Sequence, residues 1–100
     1  MPPAMIRATV NEQIQHKEER LLEWVLTRSP PNDPRKAIDA IDEFCSKHWM
    51  MNLGPEKSKI VLKALHSCNP RTIVELGGYC GYSALVLASN SSADAAVYSV

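Results

Sequence analysis

The sequence has no surplus of charge: eleven lysines and arginines cancel eleven aspartates and glutamates. That balance gives no reason to expect nucleic acid or anionic lipid as a partner. No apolar run approaches the ~20 residues a membrane span requires. The opening MPPAMIRATVNEQ has neither a basic n-region nor an apolar h-region, so no secretory signal is expected. Cysteine is scarce and odd in number, with Cys45, Cys68 and Cys80 showing no CxxC or metal-like spacing. Reduced thiols in the cytoplasm are the plain expectation. His16, His48 and His66 have no mutual spacing that suggests a metal.

What is present fits a globular protein of at most one small domain, 100 residues long and 45% hydrophobic. Charges crowd into the first part. From Arg71 onward only Arg71, Glu75 and Asp94 are charged, so that segment is expected in an interior.

Periodicity predicts a first helix over 5–27, with Ile6, Val10, Ile14, Leu21 and Val25 on one stripe. SPPNDP, Ser29 to Pro34, breaks it and starts a second helix with Asp33 as N-cap and Pro34 at the first position. That helix reaches about Lys47, and its apolar face holds Ala37, Ile38, Ile41, Phe44 and Cys45. After the connector HWMMNLG, His48 to Gly54, Pro55 opens a third helix through Ile60, Val61, Ala64 and Leu65, closed by Asn69 and Pro70. A strand over Thr72 to Leu76, a helix from Tyr82 to about Ser89, a turn at NSSAD and a strand from Ala95 to Val100 complete the order.

A strand–helix–strand unit with few polar residues implies parallel pairing inside an α/β sheet. Two strands cannot close such a core. The expectation is the front part of a larger α/β domain, with a compact helical module carrying a short ribbon as the alternative.

IVELGGYCGYSA, Ile73 to Ala84, is the stretch that suggests chemistry. In doubly wound sheets a ligand sits beyond the carboxyl ends of the strands. Glycine there permits positive φ and close approach, and the next helix offers unpaired N–H groups. A dinucleotide fingerprint fails, because counting from Gly77 its third and sixth positions are Tyr79 and Tyr82. A phosphate loop fails as well, since the turn has no lysine. An acid at the strand end with spaced glycines remains: Glu75, Gly77 and Gly81. That pattern resembles the first motif of S-adenosylmethionine-dependent methyltransferases.

VELGGYCGYSALVLA, with AIDAIDEFCSKHWMMNLGPEKSKIV upstream, is similar to the catechol O-methyltransferase family over roughly residues 20–100. Gly78, Met50 and Leu53 depart from the family's usual residues. The resemblance implies the N-terminal portion of a Rossmann-like class I methyltransferase fold: helical over 5–70, a cofactor-binding strand–helix–strand over 71–100, and together part of a single domain.

It implies S-adenosylmethionine as cofactor, contacted by Met51, Leu53, Glu75, Gly77, Tyr79 and Ser83. Leu53 would use backbone groups, and Tyr79 would lie near the sulfonium, where an aromatic ring favours positive charge. Trp49 and Met51 would border a catechol pocket. For each, a bland reading stands beside the functional one: Glu75 bonded within its own loop, glycines serving only a tight turn, Gly78 merely relaxing it, Ser83 as a helix-start residue, and Trp-Met-Met as a plug beneath a helix. Cys80 and Tyr82 are expected to serve packing, and Lys57, Lys59 and Lys63 to form a solvated helix face. The family also uses Mg²⁺ and a lysine base. The resemblance puts the metal ligands and catalytic residues beyond Val100 and leaves none in this chain, which alone would then be inactive. Alternatives are a non-catalytic interaction module and a cation-dependent O-methyltransferase acting on another phenol.

Overall fold

A computed structural model describes residues 16–100. Four helices and two strands follow in the order α1 (Lys17–Arg28), α2 (Pro34–Lys47), α3 (Gly54–Cys68), β1 (Thr72–Glu75), α4 (Tyr82–Asn90) and β2 (Ala96–Ser99). The expected order of elements is all here. Ile6, Val10 and Ile14 of the predicted first helix lie outside the described residues.

α1 and α2 form an antiparallel-type hairpin in sequence, with the proline-rich turn between them. Asp33 caps α2 by accepting a hydrogen bond from the Lys36 backbone N–H at 3.1 Å, and Pro34 occupies the first turn, where its missing donor is harmless. Trp24 of α1 joins the two helices. Its indole N–H donates to the Ala40 carbonyl at 3.0 Å, and its ring meets Phe44 edge-on at 5.9 Å. The periodic reading of α1 omitted Trp24, whose indole serves as packing surface and donor at once.

Leu21, Ile41, Phe44, Met50, Tyr82 and Val86 form the central core cluster, drawn from α1, α2, the connector and α4. Tyr82 is the most enclosed, at 1% exposure. Its phenol lies beside Ser58 and Asp42, and burial pushes its pKa up to about 12. The expectation that Tyr82 serves packing is met.

α3 departs from the predicted face. Leu65 and Ser58 are buried and Leu62 packs on the core, whereas Ile60 is 72% exposed and Ala64 is also exposed. At 3.6 residues per turn, 58, 62 and 65 fall on one stripe, while 60 and 64 lie on the far side. α3 touches α4 along that stripe. Asn69 ends α3 in the left-handed conformation, with its N–H bonded to the Leu65 carbonyl at 2.8 Å.

β1 and β2 pair in parallel, Thr72 with Ala96 through Glu75 with Ser99, and α4 makes the crossover between them. This is an α/β arrangement of helices followed by a parallel strand–helix–strand unit, an incomplete Rossmann-like fold. The expectation of an interior after Arg71 is corrected for the strands. Val74 and Tyr98, opposite each other in register, are exposed, as are Leu76 and Val100. Ile73 and Val97 are only half-buried. With two strands, one face receives α4 and the other has no element against it among the described residues.

Candidate functional site

The glycine turn between β1 and α4 is laced to the tip of β2. The N–H groups of Gly77 and Gly78 both donate to the Val100 carbonyl, at 2.7 and 3.1 Å, and the Val100 N–H donates to the Glu75 carbonyl at 2.9 Å. These bonds hold the turn at the carboxyl ends of the two strands.

Gly77 and Gly81 have φ of +80° and +84°, the left-handed region that glycine enters without strain. A Cβ built on either would meet nothing within 4 Å. Backbone conformation alone therefore accounts for both glycines, and the space in front of them is open. Gly78 behaves differently. Its φ is not positive, but a Cβ there would collide with the Ser99 hydroxyl. The expectation that Gly78 merely relaxes the loop is corrected: it admits the neighbouring strand's side chain.

That hydroxyl donates to one carboxylate oxygen of Glu75 at 2.7 Å, and the Ser83 hydroxyl donates to the other. Glu75 thus accepts from β2 and from α4, rather than only from its own loop. It fastens the strand pair to the start of the helix.

Tyr79 adopts φ +46°, unusual for a residue with a side chain. Its phenol donates to Glu18 on α1 at 2.7 Å, and this bond, ahead of burial, pushes its pKa up to about 12. The same bond lowers the Glu18 pKa. Nearby, Lys17 donates to the Trp49 carbonyl at 2.7 Å. With Arg20 also 3.4 Å from the His48 ring, three contacts run from the start of α1 to the turn and the connector.

The connector divides its large side chains. Met50 is 4% exposed and fills the core, which is the plug expected of an apolar run. Trp49 and Met51 face outward, at 71% and 75% exposure. Leu53 is half-buried, and Asn52 donates to the Cys45 sulfur at 3.2 Å.

A cavity of about 430 Å³ opens between the connector, α3 and the turn, within the ~300–1,000 Å³ range of small-molecule clefts. Met51, Leu53, Glu75, Gly77, Tyr79 and Ser83 all line it, so it gathers the six residues the sequence singled out for a cofactor. Trp49 does not line it. Sequence reasoning missed Lys57, placed on a solvated face with Lys59 and Lys63, although it too borders the cavity. Lysines spaced along one amphipathic helix look alike in sequence. The available hint was that Lys57 follows Leu53 and Gly54 by only one turn. Cys80 borders the cavity without an adjacent base, so the lining offers binding groups but no activated nucleophile. Among the described residues, no three His, Cys, Asp or Glu side chains group so as to hold a metal.

No protein-family model matches the chain. Among curated proteins, it is 42% identical over 73 residues to a catechol O-methyltransferase of Mus musculus, covering 72% of this chain and 28% of that protein. It is 41% identical over 73 residues to the catechol O-methyltransferase of Bos taurus, covering 72% of this chain and 27% of the relative. A protein named transmembrane O-methyltransferase, from Homo sapiens, is 36% identical over 72 residues, covering 71% of this chain and 25% of the relative. Among the described residues no helix is long and apolar enough to cross a membrane. The chain spans little more than a quarter of the length of the curated relatives it matches. Over that stretch it is similar to proteins named catechol O-methyltransferase, at 41–42% identity.

Proposed function

We propose that these residues form one wall of the cofactor site of an O-methyltransferase that uses S-adenosylmethionine and acts on a catechol hydroxyl. Residues 1–100 would then be the N-terminal part of a single methyltransferase domain, helical over 5–70 and cofactor-binding over 71–100. The observation that carries this reading is the cavity that brings Met51, Leu53, Glu75, Gly77, Tyr79 and Ser83 together at the strand tips. The open space before Gly77 and Gly81 leaves room for a ligand's amino acid end.

The cofactor supplies an electrophilic methyl group on a sulfonium sulfur. The chain's own part is binding and alignment, which can supply a large share of the rate in a direct displacement. Leu53 offers backbone groups at the start of α3. Ser83, held by Glu75, fixes the start of α4. Tyr79 borders the cavity while its phenol stays protonated and donates to Glu18, a setting compatible with a nearby cation. Trp49 and Met51, both outward, are the residues proposed to border the catechol.

Among the described residues no grouping of His, Cys, Asp and Glu side chains fits Mg²⁺. A reducing cytoplasmic setting belongs to the proposal, supported by three unpaired cysteines.

Relatives named transmembrane O-methyltransferase carry no catechol in their name, and a second reading is the same transfer to a different phenol. The test is methylation of a panel of catechols and monophenols by the polypeptide at its natural length, with isotopically labelled S-adenosylmethionine. Labelled catechol supports the first reading. Label confined to other phenols supports the second, and absence of binding by S-adenosylhomocysteine overturns both. Residues 1–100 alone are expected to give no turnover above background.

A further inference from the structure

The cavity carries one feature that the cofactor reading does not use. Lys57 borders it together with Glu75, so its lining holds one cation and one anion. Those two groups are in different states. Glu75 has both carboxylate oxygens engaged by the hydroxyls of Ser83 and Ser99. Lys57 has no ion-pair or hydrogen-bond partner among the described residues. Lys59 pairs with Glu56 at 3.2 Å, Lys47 with Glu43 at 3.8 Å, and Lys17 donates to the Trp49 carbonyl. Lys36 and Lys63 are also without such a partner among the described residues, but of these three lysines Lys57 alone borders the cavity. Lys57 also stands in the first turn of α3, where the helix dipole disfavours a cation and favours an anion. The cavity therefore combines a satisfied acid with an unneutralised ammonium.

We infer that Lys57 determines specificity in this site by pairing with the carboxylate of the ligand's amino acid end. The inference rests on the cofactor reading above and extends it. A sulfonium and a lysine repel each other when adjacent, which is why a lysine in the glycine turn itself would be unwelcome. A methylene chain separates the sulfonium from the carboxylate, so a lysine at the α3 end and an aromatic ring at Tyr79 serve opposite ends of one ligand. Pairing of this kind selects carboxylated nucleosides over their decarboxylated counterparts, because the latter present only like charge to the ammonium.

The experiment is calorimetric titration of the natural-length polypeptide with S-adenosylhomocysteine and with its decarboxylated analogue. The wild type is expected to prefer the carboxylated ligand. Lys57→Gln is expected to weaken that ligand roughly three- to fivefold, the upper range for an exposed ion pair, and to strengthen the analogue slightly, because the like-charge repulsion is removed. Added salt should shrink the wild-type preference toward that of the variant. Lys57→Arg keeps the charge and should retain most of the preference, which guards against a merely structural effect. Equal weakening of both ligands, or no weakening of either, overturns the role of Lys57 while the cofactor reading stands. Failure of the wild type to bind either nucleoside overturns both.

Discussion

The helices and the strand pair are held together in different ways. The helices and connector bury Leu21, Ala40, Ile41, Phe44, Met50, Leu65, Tyr82 and Val86, each 7% exposed or less. The two strands bury no residue. Their order comes from the parallel ladder, the Val100 bonds to the glycine turn and the Glu75 carboxylate that joins them to α4. Hydrophobic burial is non-directional and tolerates shifts, whereas hydrogen bonds fix positions. The cavity lies at the boundary between the two. A rigid apolar base thus carries a hydrogen-bonded rim, and the rim holds the groups that would touch a ligand.

The comparison breaks or holds most visibly with one substitution on each side. Phe44→Ala removes a ring that meets Trp24 and His48 and is 3% exposed. A loss of about 3–5 kcal/mol is expected, enough to erase the cooperative urea transition of a small domain. Val74→Ala, on the uncovered sheet face at 64% exposure, should change stability by no more than about 0.5 kcal/mol. Urea melts followed by circular dichroism decide the matter. A Val74→Ala loss above about 1 kcal/mol would show that the sheet face is covered in solution.

Local signals made most of the architecture legible in the sequence. Proline after Asp33, the 3.6-residue stripe through Ile41 and Phe44, and Asn69 before Pro70 each act within a few residues, so α2 and the end of α3 fall where they were expected. Of the candidate site residues, Glu75 and Gly77 stood out in the glycine turn itself, while Met51, Leu53, Tyr79 and Ser83 were singled out only through resemblance, since nothing in periodicity separates Tyr79 from any other tyrosine. Long-range partnerships were not legible at all. The Tyr79–Glu18 bond spans 61 positions and the Ser99–Glu75 bond 24, and no spacing rule connects them. The burial of the strands was misjudged for a related reason. Composition reports what a segment would bury, while the structure decides whether anything is there to bury it.

Gly78 sharpens the contrast on the hydrogen-bonded side. Gly78→Ala brings a Cβ into the Ser99 hydroxyl, which sits at the end of a rotatable side chain. Rotation relieves the collision but breaks the 2.7 Å bond to Glu75, so a loss of about 1 kcal/mol is expected. Ser99→Ala removes the same bond by itself. In the double variant the collision is gone, and the combined loss should fall below the sum of the single losses. Strict additivity in a double-mutant cycle would mean that Gly78 and Ser99 do not meet.

The weakest of these links, and the one most open to solvent, is the bond from Tyr79 to Glu18, and pH tests it from both ends. Tyr79 is raised from 10.0 to about 12, so the bond's stabilisation is complete below pH 10 and is lost as pH rises from there to about 12. Glu18 is lowered from 4.5, chiefly by the same phenol, so its contribution is present above pH 4.5 and is lost as pH falls through the lowered value. Tyr79→Phe should return the Glu18 carboxyl toward its ordinary range, a shift readable by carbon-detected NMR titration. The late-titrating phenolate absorbance near 295 nm should lose one component, leaving that of Tyr82, which burial also holds at about 12. Because Glu18 is fully exposed, salt and water screen the pair. The change in thermal midpoint should therefore be the smallest of the series, while the titration shift remains plain. An unmoved Glu18 titration in Tyr79→Phe would mean that the start of α1 is not tied to the glycine turn, and the rim would then rest on the strand ladder and Glu75 alone.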